Sequence, residues 1–153
     1  KIIIAGKQVP VIMASHGSYD THSGQVGTQN RLLGELSAAL AAFRDCLIKA
    51  GKWDNAAVMT YAEFGRRAAE NGSQGTDHGS ASCHFVMGGQ VKGGFYGTQP
   101  SLTQLDQGDP KYNLDFRSLY ASVAREFWGV SAATATTAIG QFQPLSLFKG
   151  AAA

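Results

Sequence analysis

The stretch VPVIMASHGSYDTH, residues 9–22, decides the fold that the sequence predicts. Residues 9–14 are continuously apolar, a pattern typical of a strand that is buried on both faces in a parallel sheet. Polar residues 15–22 follow directly, and open α/β sheets usually build their sites at the carboxyl ends of strands. The stretch therefore predicts a core strand that ends at a candidate functional site.

The segments that follow extend this unit. Residues 28–49 repeat apolar side chains at alternating steps of three and four residues, which predicts an amphipathic helix capped by Gly51. The apolar face of this helix consists of Leu33, Leu36, Leu40, Phe43 and Leu47. Residues 56–61 predict a second buried strand. A strand, a helix and a strand in this order favour an α/β fold with a mainly parallel sheet.

The second half of the chain predicts shorter elements. Residues 70–82 (ENGSQGTDHGSAS) are polar and Gly-rich, which indicates a functional loop, and residues 84–87 predict a third strand. A helix is predicted from Asp115 to Gly129. Its apolar side carries Phe116, Leu119, Val123 and Phe127. Residues 131–153 predict an extended surface tail.

Composition limits the possible classes of protein. The 153 residues are 44% hydrophobic and 16% charged, which is typical of one globular domain. A net charge of +2 with scattered basic residues argues against nucleic acid as a partner. No apolar run approaches the roughly 20 residues that a membrane span needs. Because the chain opens on an apolar run and predicts only three strands, we expect residues 1–153 to be a single domain or the carboxyl-terminal part of a larger one.

Two Asp/His pairs are candidate metal ligands. Asp20 and His22 form an Asp-x-His, and Asp77 and His78 are adjacent. Mixed carboxylate and imidazole ligands suit zinc, manganese or iron better than calcium. One such pair alone is more typical of a turn Asp beside a surface His than of a metal ligand. Two pairs, each in a polar loop beside a predicted strand, favour a divalent metal site.

Two charged residues beyond the second predicted strand are further candidates. Glu63 follows that strand and could belong to the site, although taken alone it is more typical of a carboxylate in the first turn of a helix. Arg66 could bind an anionic ester with two hydrogen bonds, although consecutive arginines such as Arg66 and Arg67 are more often solvated or paired. We place His16 and His84 outside the predicted site, His84 as a hydrogen-bonded or packed strand residue.

Several blocks of sequence carry a family resemblance. They are residues 19–23 (YDTHS), 59–67 (MTYAEFGRR), 71–79 (NGSQGTDHG), 91–97 (VKGGFYG) and 114–118 (LDFRS). In this order they resemble the motifs of the DUF1501 family, a sulfatase-like branch of the alkaline phosphatase superfamily. The resemblance covers nearly the whole chain.

The resemblance implies a fold and an activity. The fold would be part of an alkaline-phosphatase-like α/β/α sandwich, and the activity would be metal-dependent hydrolysis of small-molecule phosphate or sulfate esters. Carried over by position, the metal ligands would be Asp20, His22, Asp77 and His78. Glu63 would be a further ligand or a base, and Arg66 would bind the anion. The location would be periplasmic or otherwise extracytoplasmic.

Two departures from the superfamily pattern open alternatives. Glu63-Phe64-Gly65 stands where Asp-His-Gly is usual, which puts a second metal in doubt. No segment resembles the amino-terminal region that supplies the nucleophile, so we expect that portion to be missing and this chain to be inactive alone. The alternative function is a non-catalytic secreted binding or structural protein that retains the fold. A self-assembling fragment, present as a homo-oligomer, is a third possibility.

Overall fold

The computed structural model describes residues 1–150, which contain three α-helices and two small sheets. The elements in chain order are α1 (Gln25–Lys49), β1 (Ala57–Met59), β2 (Gly65–Glu70), β3 (Thr76–Gly79), β4 (Val86–Gly88), α2 (Phe116–Ser122) and α3 (Ala132–Ile139). A 3-10 turn, Trp53–Asn55, precedes β1, and a π-helical turn, Val123–Phe127, continues α2. Within residues 1–150, no helix combines the length and the apolarity needed to cross a membrane.

Both sheets are antiparallel, so the predicted mainly parallel sheet of an alkaline-phosphatase-like α/β/α sandwich was wrong. β1 pairs with β4, with Val58 opposite Met87, and β2 pairs with β3, with Arg66 opposite His78. Only residues 71–75 separate β2 from β3, whereas parallel neighbours need a crossover of a dozen or more residues. The described residues therefore form a small α+β fold.

The apolar run at residues 9–14 is not a strand. It pairs with neither sheet, and its side chains are largely exposed, Met13 at 73%. A strand needs a hydrogen-bonded partner, and hydrophobicity alone does not supply one. The other two predicted strands are present in shorter form, as β1 and β4.

The predicted helix over residues 28–49 is confirmed as α1, which begins three residues earlier at Gln25. Gly51 follows it in the left-handed region, at a φ of 62°. The predicted apolar face is only partly correct. Leu47 and the unpredicted Leu32 are each 2% exposed, whereas Leu33 is 45% exposed. Because no broad parallel sheet covers α1, a narrower strip of the helix is buried than the periodicity predicts.

The predicted helix starting at Asp115 is also confirmed. The Asp115 side chain accepts a hydrogen bond from the backbone N–H of Arg117 and caps α2. The π-helical turn then continues to Phe127, and Gly129 follows with a φ of 68°. Phe116 is exposed, contrary to its predicted place on the apolar side.

The carboxyl-terminal segment completes a core rather than forming an extended tail. Residues 132–139 form α3, and Leu147 and Phe148 are buried. The other buried apolar residues of this region are Ala121, Ala124 and Ala135. Both carboxylate oxygens of Glu126 accept backbone hydrogen bonds, from Ser146 and Phe148. This charge-assisted pair fixes the segment on the π-helical turn that follows α2. Residues 151–153 of the predicted tail lie outside the described residues.

Candidate functional site

The loop before α1 carries Asp20 and His22 and is anchored at Tyr19. The Tyr19 hydroxyl donates a hydrogen bond to the carbonyl of Leu32 at 3.2 Å. Its backbone carbonyl accepts a hydrogen bond of 2.6 Å from Nη2 of Arg66. The loop is therefore tied to α1 on one side and to β2 on the other.

The turn between β2 and β3 fits against the same loop through its backbone. The N–H groups of Gly24 and Gln25 donate to the carbonyls of Ser73 and Gln74, at 3.1 and 2.9 Å. A Cβ added to Gly75 would lie 2.2 Å from the carbonyl carbon of His22. Only glycine allows the two backbones to approach this closely at that position.

Asn71 organises this turn and reaches the site loop. Its Oδ1 accepts hydrogen bonds from the N–H groups of Ser73 and Gly75, at 2.9 and 3.1 Å. Its Nδ2 donates to the carbonyl of His22 at 3.1 Å and to Oδ1 of Asp77 at 3.2 Å. One amide side chain thus holds the turn, the backbone of His22 and the Asp77 carboxylate together.

Three of the predicted metal ligands converge. Oδ1 of Asp20 lies 2.8 Å from Nε2 of His78 and 2.9 Å from Nε2 of His22, and the two Nε2 atoms are 3.1 Å apart. All three side chains are exposed to solvent. The two distant motifs therefore place one carboxylate oxygen and two imidazole nitrogens at a single accessible point.

Asp77, the fourth predicted ligand, lies behind His22. Its Oδ1 is 3.5 Å from Nδ1 of His22, on the side of the ring away from Asp20. A carboxylate in this position favours the tautomer with hydrogen on Nδ1, which leaves the Nε2 lone pair free to bind an ion. Asp77 is therefore placed to orient His22 rather than to be a ligand alongside Asp20, His22 and His78.

Phe64 supports the second imidazole. Its ring stacks on that of His78, with centroids 3.6 Å apart and an angle of 10° between the planes. The guanidinium of Arg66 lies 5.0 Å from the Phe64 ring centroid. Phe64 therefore restricts the rotation of His78 from one face of its ring.

Arg66 is the least exposed of the charged residues in this region, with its side chain 19% exposed. Its Nη1 donates to the carbonyl of Thr76 and its Nη2 to that of Tyr19, and Nη2 also lies 3.6 Å from Oδ1 of Asp20. The guanidinium thus holds the site loop against β3 and brings a permanent positive charge close to Asp20.

These contacts favour the ionised forms of both carboxylates. The hydrogen bond from His78 holds the pKa of Asp20 below its usual value, and the nearby charges of His22, His78 and Arg66 act in the same direction. The hydrogen bond from Asn71, more than that from His22, lowers the pKa of Asp77. Both groups are therefore anionic at neutral pH.

The structure does not bring Glu63 into the cluster. Glu63 is exposed just before β2 and, within residues 1–150, makes no hydrogen bond or ion pair with Asp20, His22 or His78. The prediction that Glu63 lies close to Asp20 assumed two neighbouring strands of a parallel sheet. Both sheets are antiparallel, so the strands do not bring these two residues together.

Three residues of the site lie in the motif blocks but were not predicted to be site residues. Tyr19, Phe64 and Asn71 contact the cluster or the loops that bear it. Only Asn71 carried a local signal, because Asn-Gly is a typical turn dipeptide. The roles of Tyr19 and Phe64 come from long-range contacts that have no signature in sequence.

Comparison with known proteins identifies a family but no function. Residues 2–145 match the family model described as "Protein of unknown function (DUF1501)". Searches of curated proteins and of solved structures gave no significant match. The family match covers nearly the whole chain and includes every residue of the cluster. The chain therefore belongs to the DUF1501 family.

Proposed function

We propose that Asp20, His22 and His78 bind one divalent metal ion, and that the chain is part of a metal-dependent hydrolase of phosphate or sulfate esters. One observation carries the proposal. A carboxylate oxygen and two imidazole nitrogens from motifs 58 residues apart lie within 4.8 Å of one another. Ligands of this kind, drawn together from distant parts of the chain, are typical of zinc, manganese and iron sites.

The distances among the three donor atoms fit such an ion. Ligand atoms about 2.0–2.1 Å from a tetrahedral metal lie about 3.3 Å from one another. The separations of 2.8, 2.9 and 3.1 Å among Asp20, His22 and His78 are close to that value. Small outward movements of exposed side chains would complete the geometry. Three protein ligands leave a fourth position for water or for substrate, the pattern of catalytic zinc sites.

The proposal assigns a role to each neighbouring residue. When bound, the metal would neutralise charge on the ester and activate a hydroxyl or water. Asp77 holds His22 in the tautomer that presents Nε2, and Phe64 holds the His78 ring. Arg66 keeps Tyr19 and Asp20 in place and adds positive charge that favours an anionic substrate. In this assignment Arg66 acts mainly by positioning the site loop.

The sulfatase-like assignment within the alkaline phosphatase superfamily is part of the same proposal. The motif blocks and the Asp/His/His cluster support it. An extracytoplasmic location accompanies the assignment and rests on the resemblance alone. Cell fractionation of the native host would test the location separately.

Metal content is the first test. The purified chain, incubated with zinc, manganese or iron and freed of excess ion, should hold about one ion per chain by elemental analysis. Asp20→Asn and His78→Ala should each lose it, because the first removes the negative charge of the carboxylate ligand and the second removes a donor nitrogen. Asp45→Asn is the matched control, since Asp45 lies on α1 outside the cluster. Metal that stays bound in both variants, or that never binds, would refute the proposed site.

Turnover is the second test. The metal-loaded protein, expressed together with any amino-terminal segment of its native gene, should release p-nitrophenol from p-nitrophenyl phosphate or p-nitrophenyl sulfate, and Asp20→Asn should abolish this activity. Stoichiometric metal with neither ester hydrolysed would contradict the hydrolase assignment. That result would favour a non-catalytic binding protein that retains the metal.

A further inference from the structure

Ser82 and His84 lie in contact on the segment between β3 and β4, outside the Asp20–His22–His78 cluster. Oγ of Ser82 is 3.0 Å from Nε2 of His84. Both residues are exposed, so a small molecule can reach the hydroxyl. A hydroxyl and an imidazole nitrogen within hydrogen-bonding reach are the basic elements of a nucleophile and its base.

The backbone that follows His84, at Phe85, is held by hydrogen bonds. Thr60 and Phe85 exchange two hydrogen bonds, from the N–H of Thr60 to the Phe85 carbonyl at 3.0 Å and from the N–H of Phe85 to Oγ1 of Thr60 at 2.9 Å. This pair continues the ladder of β1 and β4 beyond Met59 and Val86. His84 therefore has a defined position at the end of a sheet, although its side chain is exposed.

Thr60 also orients the imidazole. Its Oγ1 lies 3.5 Å from Nδ1 of His84, on the side of the ring away from Ser82. If Nδ1 carries the hydrogen and faces Oγ1, Nε2 is left to accept the hydroxyl proton of Ser82. Thr60 then occupies the place that a third, orienting group takes in a nucleophile–base–orienter arrangement.

The protonation state of His84 is compatible with a role as a general base. Desolvation by neighbouring atoms lowers the pKa of His84, because it disfavours the charged imidazolium. The imidazole is therefore mainly neutral at pH 7, as a proton acceptor must be.

We propose that Ser82 and His84 form a second reactive centre that transfers acyl groups from carboxylic esters. The Oγ–C bond forms as the C–O bond to the leaving alkoxide breaks. The Ser82 proton passes to Nε2 of His84 and from there to the alkoxide, which leaves as the alcohol. Water, deprotonated by the same imidazole, then hydrolyses the acyl-serine to the carboxylic acid and restores Ser82. Thr60 is the positioning residue.

A fluorophosphonate probe tests the centre without any metal. In EDTA, the full chain should gain one phosphonyl adduct on Ser82, as the O–P bond forms and the P–F bond breaks with loss of fluoride and a proton. Intact mass and peptide mapping give the stoichiometry and the site. Ser82→Ala should abolish labelling, and His84→Gln should slow it about 100-fold, within the usual contribution of a general base. Ser101→Ala, on another exposed loop, should label at the wild-type rate.

The pH dependence of labelling tests the role of His84 in the unaltered chain. The wild-type rate should stay level near neutral pH and fall only below about pH 6.5, as the imidazole gains its proton. Absence of an adduct, an adduct on another residue, or a rate in folded His84→Gln equal to that of the wild type would each overturn the proposal. If His84→Gln does not fold, a wild-type rate that does not change between pH 7 and pH 4 would overturn it instead. Because EDTA is present throughout, the outcome is independent of the proposed metal site.

Discussion

The Nε2 atoms of His22 and His78 lie 3.1 Å apart, although 56 residues separate the two histidines in sequence. The β2–β3 hairpin brings them together by pairing its turn with the loop before α1. The candidate site therefore depends on the close packing of two loop backbones. Single substitutions can test this dependence.

Gly75→Ala should destabilise the chain and disrupt the cluster. The new Cβ would lie 2.2 Å from the carbonyl carbon of His22, so one backbone must move. A forced contact of this kind costs about 1–3 kcal/mol. Gly72→Ala is the matched control in the same turn, since nothing lies within 4 Å of a Cβ there. Urea unfolding measures both variants, and equal midpoints for the two would contradict the close approach.

Asp77→Asn should weaken metal binding without abolishing it. Asp77 lies 3.5 Å from Nδ1 of His22, and loss of an orienting carboxylate usually costs about 10–100-fold in metal affinity. Competition with a fluorescent chelator gives the dissociation constant. Asp45→Asn should match the wild type. A complete loss of metal would instead make Asp77 a direct ligand.

Tyr19→Phe should loosen the loop that carries Asp20. The substitution removes the hydrogen bond to the Leu32 carbonyl and the 3.0 Å contact with Nδ1 of His16, but keeps the ring. Loss of one such bond, worth about 0.5–1.5 kcal/mol, predicts metal affinity lower by roughly 2–12-fold. Tyr112→Phe is the control, because Tyr112 is exposed. Unchanged affinity in Tyr19→Phe would show that the backbone contacts alone hold the loop.

Leu47→Ala should destabilise the chain far more than Ile48→Ala. Leu47 is 2% exposed and Ile48 is 46% exposed, on adjacent positions of α1. A cavity at a buried leucine costs about 2–5 kcal/mol, whereas an exposed position is usually within about 0.5 kcal/mol of neutral. Chemical denaturation of the two variants provides the comparison. Similar losses of stability in the two variants would mean that α1 packs against the rest of the chain through a different face.

Asp115 should titrate well below other carboxylates. Hydrogen bonds from the side chain and the backbone of Arg117 lower the pKa of Asp115 to about 2, from 3.8. Since the folded-state pKa is depressed, the stabilising contribution of Asp115 is complete above about pH 4 and is lost as the pH falls through 2.

Carbon-detected NMR titration of the Asp115 carboxyl group checks this value. In Arg117→Ala the midpoint should rise towards 3.8, because the main hydrogen bonds are gone. Arg44→Ala should leave it unchanged, since Arg44 lies on α1. A wild-type midpoint near 3.8 would show that the Asp115–Arg117 pair does not persist in solution.

Local patterns in sequence predicted the elements that depend on nearby residues. The three- and four-residue spacing identified α1, and Asp115 marked the start of α2, because helix periodicity and capping are local effects. Residues 9–14 were predicted wrongly as a buried strand. Their hydrophobicity was clear, but a strand also requires a partner that composition does not specify.

The candidate site shows the same division between what local sequence predicts and what contacts between distant segments decide. The sequence by itself determined which side chains could bind a metal, since Asp20, His22, Asp77 and His78 stand out by chemical type and by motif. Only the tertiary structure decided that three of them converge, that Asp77 lies behind His22, and that Glu63 stays apart. The physical reason is that ligand chemistry belongs to each side chain, whereas convergence depends on contacts between distant segments, here Gly75 against His22 and Arg66 against Tyr19.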